Sequence, residues 1–245
     1  KIVHGMLRTY LRRYGGAYEP QTWWDKTFYD VEISDARTIS RTKSHISSMY
    51  HYASVELLIL RHFANHRVGS LGRVFDVGSG AGHWIHFYQG LGASECVGVD
   101  VSQKCVNALR SRFADNDAVT IHHGTCANAL AQLSEQDEQQ YDVVNAIGVM
   151  FHIVDDDEWR RTIQRIGAAV RPGGHYVIGG HFGFLNNLNV QFDHAGRVNK
   201  RLRSRTCWRR ELRSAGFRKV SFYANNAYRS IRDLLPENNL LIACK

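Results

Sequence analysis

Two carboxylates, three alternating glycines and two histidines are the residues of this chain whose types and spacing suit chemistry. Asp76 lies within the apolar run Arg73-Val74-Phe75-Asp76-Val77, and Gly78, Ser79, Gly80, Ala81 and Gly82 follow directly. A strand cannot continue through such a run, so the chain must turn. Glycines at 78, 80 and 82 permit positive φ and let a ligand approach the main chain, while a helix from His83 to Gln89 would aim its free N–H groups at that ligand. Asp100 closes a second apolar run, Glu95-Cys96-Val97-Gly98-Val99, about 20 residues beyond Gly80, where an acid accepts both hydroxyls of a ribose. The third glycine position of G-x-G-x-x-G is missing, which disfavours a pyrophosphate ligand.

The elements that must position these residues alternate along the chain. A helix is expected from Ser44 to about His66, because Tyr52, Val55, Leu58, Ile59 and Phe63 recur at three- and four-residue intervals. Strands follow at 73–77, 95–100, 119–122, 142–150 and 175–179. Ser102 is placed to cap a helix running to about Phe113, and Asp155-Asp156-Asp157-Glu158 to open another, where capping is preferred to metal binding. A helix from Thr206 to Ala215 should stop at Gly216, before an antiparallel pair, 219–223 with 239–244. Leu130 to Gln140 reads as a solvated helix end or loop. The aromatic stretch from Tyr10 to Trp24 is broken by Gly15, Gly16 and Pro20 and reads as loop or short helices.

The combination Phe75-Asp76-Val77-Gly78-Ser79-Gly80-Ala81-Gly82, Val97-Gly98-Val99-Asp100, Tyr141-Asp142-Val143-Val144 and Arg171-Pro172-Gly173-Gly174 resembles the class I S-adenosylmethionine-dependent methyltransferases, small-molecule branch. The resemblance implies a Rossmann-like, doubly wound, seven-stranded, mostly parallel α/β sheet with an antiparallel closing strand, and an N-terminal helical cap. It implies a division into a cap at 1–70 and a donor-binding core at 71–245, with a substrate-recognition insert at about 180–205. The cofactor implied is S-adenosyl-L-methionine, leaving S-adenosyl-L-homocysteine, with no metal. Asp76, Gly78, Ser79, Gly80 and Gly82 would hold its methionine portion, Asp100 the ribose, and Val101, Thr125 and Cys126 the adenine edge. Asn145 and Ile147 would form the floor beneath the sulfonium. The acid that the family commonly carries after the third strand is replaced by Gly124-Thr125-Cys126. The Asn/Asp-Pro-Pro-Tyr turn of the amino-group methyltransferases of nucleic acids is absent at Asn145-Ala146-Ile147-Gly148.

His152, just beyond the fourth strand, is the first candidate proton acceptor, with a structural role as its competitor; His181, at the end of the fifth, is the second. Trp23, Trp24, Tyr50, His51, Tyr52 and Phe182 are candidates for acceptor contact, against the plainer alternative that such rings bury in the core. His83 and His86 lack the companions of a zincin motif.

The chain has 245 residues and a formal net charge of +8, so its surface attracts anions. The expected partner is a small-molecule acceptor, anionic ones included; nucleic acid is a less favoured partner and a membrane is not expected. The five cysteines form no CxxC pair, which argues for a reducing cytoplasm and against a disulfide framework or structural zinc. The competing functions are methylation of RNA or protein, and a non-catalytic nucleotide-binding partner module.

Overall fold

The computed structural model describes residues 19–28, 32–39, 44–131, 141–183, 190–194, 197–224 and 239–245. The aromatic residues expected to pack at 10–18, most of the polar stretch at 130–140 and residues 184–189 of the insert lie outside the described residues.

Strand β1 (Arg73–Val77) is central: it pairs in parallel with β2 (Glu95–Asp100) on one side and with β4 (Tyr141–Ile147) on the other. Outward from these, β3 (Val119–His123) joins β2 and β5 (Val170–Gly180) joins β4, both in parallel. The closing strand β9 (Asn239–Cys244) runs antiparallel between β5 and β8 (Lys219–Ala224). The sheet order is β3-β2-β1-β4-β5-β9-β8.

Alternation along each strand divides the core in two. Val74, Val143, Val177 and Ile242 face α2 (His45–Asn65) and α3 (His83–Gly90), with Leu109 of α4 (Gln103–Arg112) on the same side. Phe75, Val144, Tyr176 and Ala243 face α5 (Cys126–Ala131), α6 (Asp156–Ala169) and α7 (Arg205–Ser214). Successive side chains of a strand point to opposite faces, so a strand covered on both faces must be apolar at both parities. Asp76 breaks that rule in β1.

The helix ends follow local chemistry. Ser44, Ser102, Asp155 and Ser204 each accept a backbone N–H three residues on, capping α2, α4, α6 and α7. Ahead of α2, a helical turn at Pro20–Thr22 runs into a π-helical stretch, Trp23–Phe28, and α1 spans Asp35–Ile39.

Two expectations change. The fourth strand ends at Ile147, because Gly148 turns at φ +83° and donates its N–H to Gly179 O at 2.9 Å; Met150–His152 then forms a 3₁₀ turn. The connection after β5 contains an antiparallel hairpin, β6 (Val190–His194) with β7 (Arg197–Leu202). Arg203 fastens it to α6: its Nε donates to Asp156 Oδ1 at 2.9 Å, it lies 4.3 Å over the Trp159 ring, and it is 1% exposed. Arg201 also pairs with Asp156. These arginines therefore belong to the packing, not to a solvated basic face.

Candidate active site

The glycine loop folds as its composition demands. Gly78 and Gly80 take φ +67° and +56°, and a Cβ on them would meet Val149 Cγ2 at 2.3 Å and Thr38 Cγ2 at 2.9 Å. The loop is thus bare where β4's following turn and α1 close upon it. Backbone N–H groups of Gly78 and Ser79 donate to Val99 O at 2.7 and 3.2 Å, which ties the loop to β2.

Asp100 completes that tie. Its Oδ2 accepts from Gly80 N at 2.9 Å and its Oδ1 from Ser102 N at 2.8 Å. Each oxygen retains one lone pair for a further donor. Burial raises the Asp100 carboxyl to about 6, against the lowering effect of these two N–H groups.

Asp76 is fully buried on the α3 side of the sheet. Asn145 Nδ2 donates to its Oδ1 at 2.7 Å, and Tyr88 OH donates to Asn145 Oδ1 at 3.1 Å. Oδ2 of Asp76 has no hydrogen-bond partner among the described residues. Burial drives this carboxyl up to about 7, opposed by the Asn145 amide. An acceptor left orphaned in the interior costs roughly 1–3 kcal/mol and persists where a ligand donor meets it. Asn145, expected to floor the sulfonium, has its amide committed to Asp76 and Tyr88, so it orients the carboxylate.

A second cluster forms where β4 and β5 end. His152 and His181 both flank Phe151, with ring centroids 4.4 and 4.9 Å away. Gly180 approaches the same ring so closely, at φ +126°, that a Cβ would lie 2.4 Å from Phe151 Cε1. Trp24 sets its ring edge against His152 at 4.9 Å, and Lys200 of β7 stands 5.7 Å from the Phe151 ring. The N-terminal segment thus reaches His152 through Trp24, and the hairpin reaches Phe151 through Lys200.

The remaining sequence-predicted residues divide. Val101 follows Asp100, and its carbonyl accepts from His123 Nε2 at 3.2 Å. Thr125 caps α5, with Oγ1 accepting from Asn128 N at 3.1 Å, and Cys126 is buried, its thiol pushed up to about 12 by burial. Ile147 is half-buried at the end of β4. Trp23 is buried; Tyr50 lies exposed on α2; His51 is half-buried beside Tyr52. The Tyr52 hydroxyl contacts Thr38 Oγ1 and Asp35 O at 3.1 and 3.0 Å, and its ring stacks on His83 at 3.5 Å, which fixes α1 over the loop. Phe182 is likewise a core residue, packed against Trp208 and Phe222.

Sequence reasoning missed Asp25. Its Oδ1 accepts from Ser102 Oγ at 2.6 Å, fastening the Trp23–Phe28 segment to the start of α4 beside Asp100. No spacing in the sequence links positions 25 and 102. A cavity of about 370 Å³, lined by Asp35, His45, Met49 and Arg112 among others, borders the glycine loop at Ala81 but contains none of the sequence-predicted site residues.

Residues 74–174 match the family described as Methyltransferase domain. The matched stretch runs from β1 to the start of β5 and carries the glycine loop and its acidic partner on β2, so over this part the chain is similar to a methyltransferase domain. Among solved structures it is similar to the DhpI complex with SAM and HEP, at 19% identity and TM-score 0.59, covering 99% of this chain and 98% of that one. It is also similar to the 1,6-didemethyltoxoflavin-N1-methyltransferase of Burkholderia thailandensis with its bound acceptor and S-adenosylhomocysteine. There the identity is 16% and the TM-score 0.54, over 84% of this chain and 94% of that one. A methyltransferase of Mesorhizobium loti is 19% identical with TM-score 0.57, over 78% and 98%. Among curated proteins, no sequence matches significantly. No helix among the described residues is long and apolar enough to cross a membrane.

Proposed function

We propose that this chain is an S-adenosylmethionine-dependent methyltransferase acting on an oxygen or nitrogen of a small-molecule acceptor, with an anionic acceptor the best match to its charge. S-adenosylmethionine supplies a methyl group already activated on a sulfonium, so the chain has mainly to align the acceptor and exclude water. In this reading the orphaned Asp76 Oδ2 receives the donor's ammonium above the bare backbone of Gly78, Ser79, Gly80 and Gly82. Asp100 takes the ribose hydroxyls with its free lone pairs, Val101, Thr125 and Cys126 border the adenine, and Ile147 lines the floor.

The observation that carries the acceptor assignment is the convergence of His152 and His181 on Phe151, one turn from the Val149 contact with Gly78. A half-buried imidazole at a strand's carboxyl end can take a proton from a hydroxyl or amine. Trp24 and Lys200 supply an aromatic wall and a cation at the same place, the latter suited to a carboxylate or phosphate group. The segment up to residue 70 and the insert at 180–205 would then act as the two covers of the acceptor space. The B. thailandensis enzyme, which carries a small heterocyclic acceptor, fits the same reading. Five cysteines without a disulfide among them fit a reducing, cytoplasmic setting.

Calorimetric titration with S-adenosylhomocysteine tests the donor half: we expect binding by the intact chain and a loss of about 100-fold in Asp100→Ala. For the acceptor half, mass spectrometry of small hydroxy- and amino-acids incubated with donor should reveal a methylated product. His152→Gln should lower kcat about 10²-fold with KM for the donor unchanged. Full turnover in both His152→Gln and His181→Gln would remove the proton-acceptor role. The net charge of +8 also suits RNA; retention on RNA falling steeply with salt, together with methyl transfer to it, would favour that acceptor instead.

A further inference from the structure

Away from the donor site, three metal-ligating side chains from distant parts of the chain come together. His62 lies on the last turns of α2, His175 on β5 and Cys244 on β9. His175 and Cys244 are direct cross-strand partners, so their side chains share the sheet face that α2 covers. One ligand atom from each of the three lies within 4.8 Å of the others, and His62 Nε2 is 3.8 Å from Cys244 Sγ. A tetrahedral ion with Zn–N and Zn–S bonds of about 2.0 and 2.3 Å holds two nitrogens and a sulfur roughly 3.3–3.5 Å apart. The widest separation here, within 4.8 Å, closes to that by side-chain shifts of roughly 1–1.5 Å.

We propose that His62, His175 and Cys244 form a binding site for a zinc-class divalent cation, which staples the α2 helix to the closing strands of the sheet. Two imidazoles and a thiolate are the donor set that a borderline-soft ion selects over magnesium or calcium. The outer contacts suit the role. Tyr223 OH lies 2.6 Å from His62 Nδ1; in the tautomer in which Nδ1 carries the proton and Tyr223 accepts it, Nε2 turns its lone pair toward Cys244. His66 stacks on His62 at 4.0 Å, and its Nδ1 donates to the His62 carbonyl at 2.8 Å. Its Nε2 then accepts from Lys219 Nζ at 2.9 Å, which holds that ammonium, the group opposing a dication here, on the exposed side of His66. The thiol loses its proton to solvent on coordination. The site sits at the level of Val74 and Val143, in the amino-terminal half of the parallel strands, whereas the glycine loop follows their carboxyl ends. It is independent of the acceptor proposed above.

The test is titration of the chelator-stripped full chain with Co²⁺, then displacement by Zn²⁺. The expected result is visible tetrahedral d–d absorption with a thiolate-to-cobalt charge-transfer band, both bleached by one equivalent of Zn²⁺, and a higher melting temperature in the Zn²⁺ form. Cys244→Ser should abolish the charge-transfer band and weaken binding at least about tenfold, and Tyr223→Phe should weaken it about 10–100-fold. His123→Ala, on β3 at the other edge of the sheet, should change nothing. Circular dichroism and S-adenosylhomocysteine binding establish that each variant is folded. No charge-transfer band in the intact chain, or the same spectrum in folded Cys244→Ser, would overturn the site.

Discussion

At the carboxyl ends of the strands, Asp76 and Asp100 are carboxyl groups taken out of water, and burial lifts them to about 7 and about 6. At the edge where β5 meets β9, His62 and His175 are imidazoles taken out of water, and burial drops them to about 3 and about 4. The same desolvation moves acids up and bases down, toward the uncharged form in each case. The consequences differ. A neutral acid with an orphaned oxygen is a destabilised acceptor that becomes an ion when a cationic group arrives. A neutral imidazole with a free lone pair is already a finished ligand. One region is therefore prepared for an organic cation and the other for a metal ion.

The largest effect expected from this contrast is in stability against pH. Asp76 has a folded value near 7 and an ordinary value of 3.8, so the native state holds its proton longer than the unfolded chain. Its contribution is fully present below about pH 4 and is lost as pH rises through about 7, an order of 4 kcal/mol in all. Asp76→Asn should flatten that part of the curve, raising the melting temperature of the ligand-free protein at about pH 8 while weakening S-adenosylhomocysteine. The imidazole edge runs the other way: His62 and His175 stay neutral when folded, so their contribution is lost as pH falls below about 6. Urea unfolding at a series of pH values separates the two; an unchanged curve in Asp76→Asn would mean that the carboxyl is not desolvated as described.

A smaller effect sharpens the comparison by acting on backbone alone. Gly78→Ala forces a Cβ into a positive-φ position and against Val149. The conformational cost of about 1–2 kcal/mol and the overpacking cost of about 1–3 kcal/mol together predict a loss near 3 kcal/mol by denaturant unfolding. Cobalt binding at His62, His175 and Cys244 should be unaffected in the folded fraction. A neutral outcome at Gly78 would show that the β4 turn is not held against the loop.

The donor half of the site was legible because its determinants are local. Gly78, Gly80 and Gly82 announce a turn wherever they stand, and Asp100 follows a run that reads as a strand on composition alone. The caps Ser102 and Asp155 were equally visible, since a cap is decided within four residues. What escaped was long-range. Asn145 entered as a floor residue through the family resemblance alone, and its side-chain bond to Asp76, 69 positions away, leaves no trace in the sequence. Phe182 and Tyr52 could have been either wall or core, and only packing across the sheet decides between them. The hairpin at 190–202 lay inside the stretch read only as an insert, and its anchor, Arg203 over Trp159, joins positions 44 residues apart. The metal cluster joins residues 182 positions apart, with none of the short spacings that mark zinc in a sequence.

The smallest effect addresses the cover that no spacing revealed. Asp25 brings a carboxylate to the first turn of α4, where Ser102 Oγ donates to it at 2.6 Å and the helix dipole favours its charge. Its negative charge is also among the causes that raise Asp100. Asp25→Asn keeps an acceptor oxygen for Ser102 while removing that charge. It should cost no more than about 1 kcal/mol of stability and lower the Asp100 carboxyl below about 6. The ¹³C carboxyl resonance of Asp100, followed through a pH titration, reads the change directly. If it titrates identically in the variant, the Trp23–Phe28 segment does not rest on α4 in solution, and the cofactor end is open on the side from which Trp24 approaches His152. If it shifts as expected, the contrast between the two regions extends to their covers. The amino-terminal segment then tunes the acid beneath it by charge, whereas α2 supplies its own ligand to the histidine cluster.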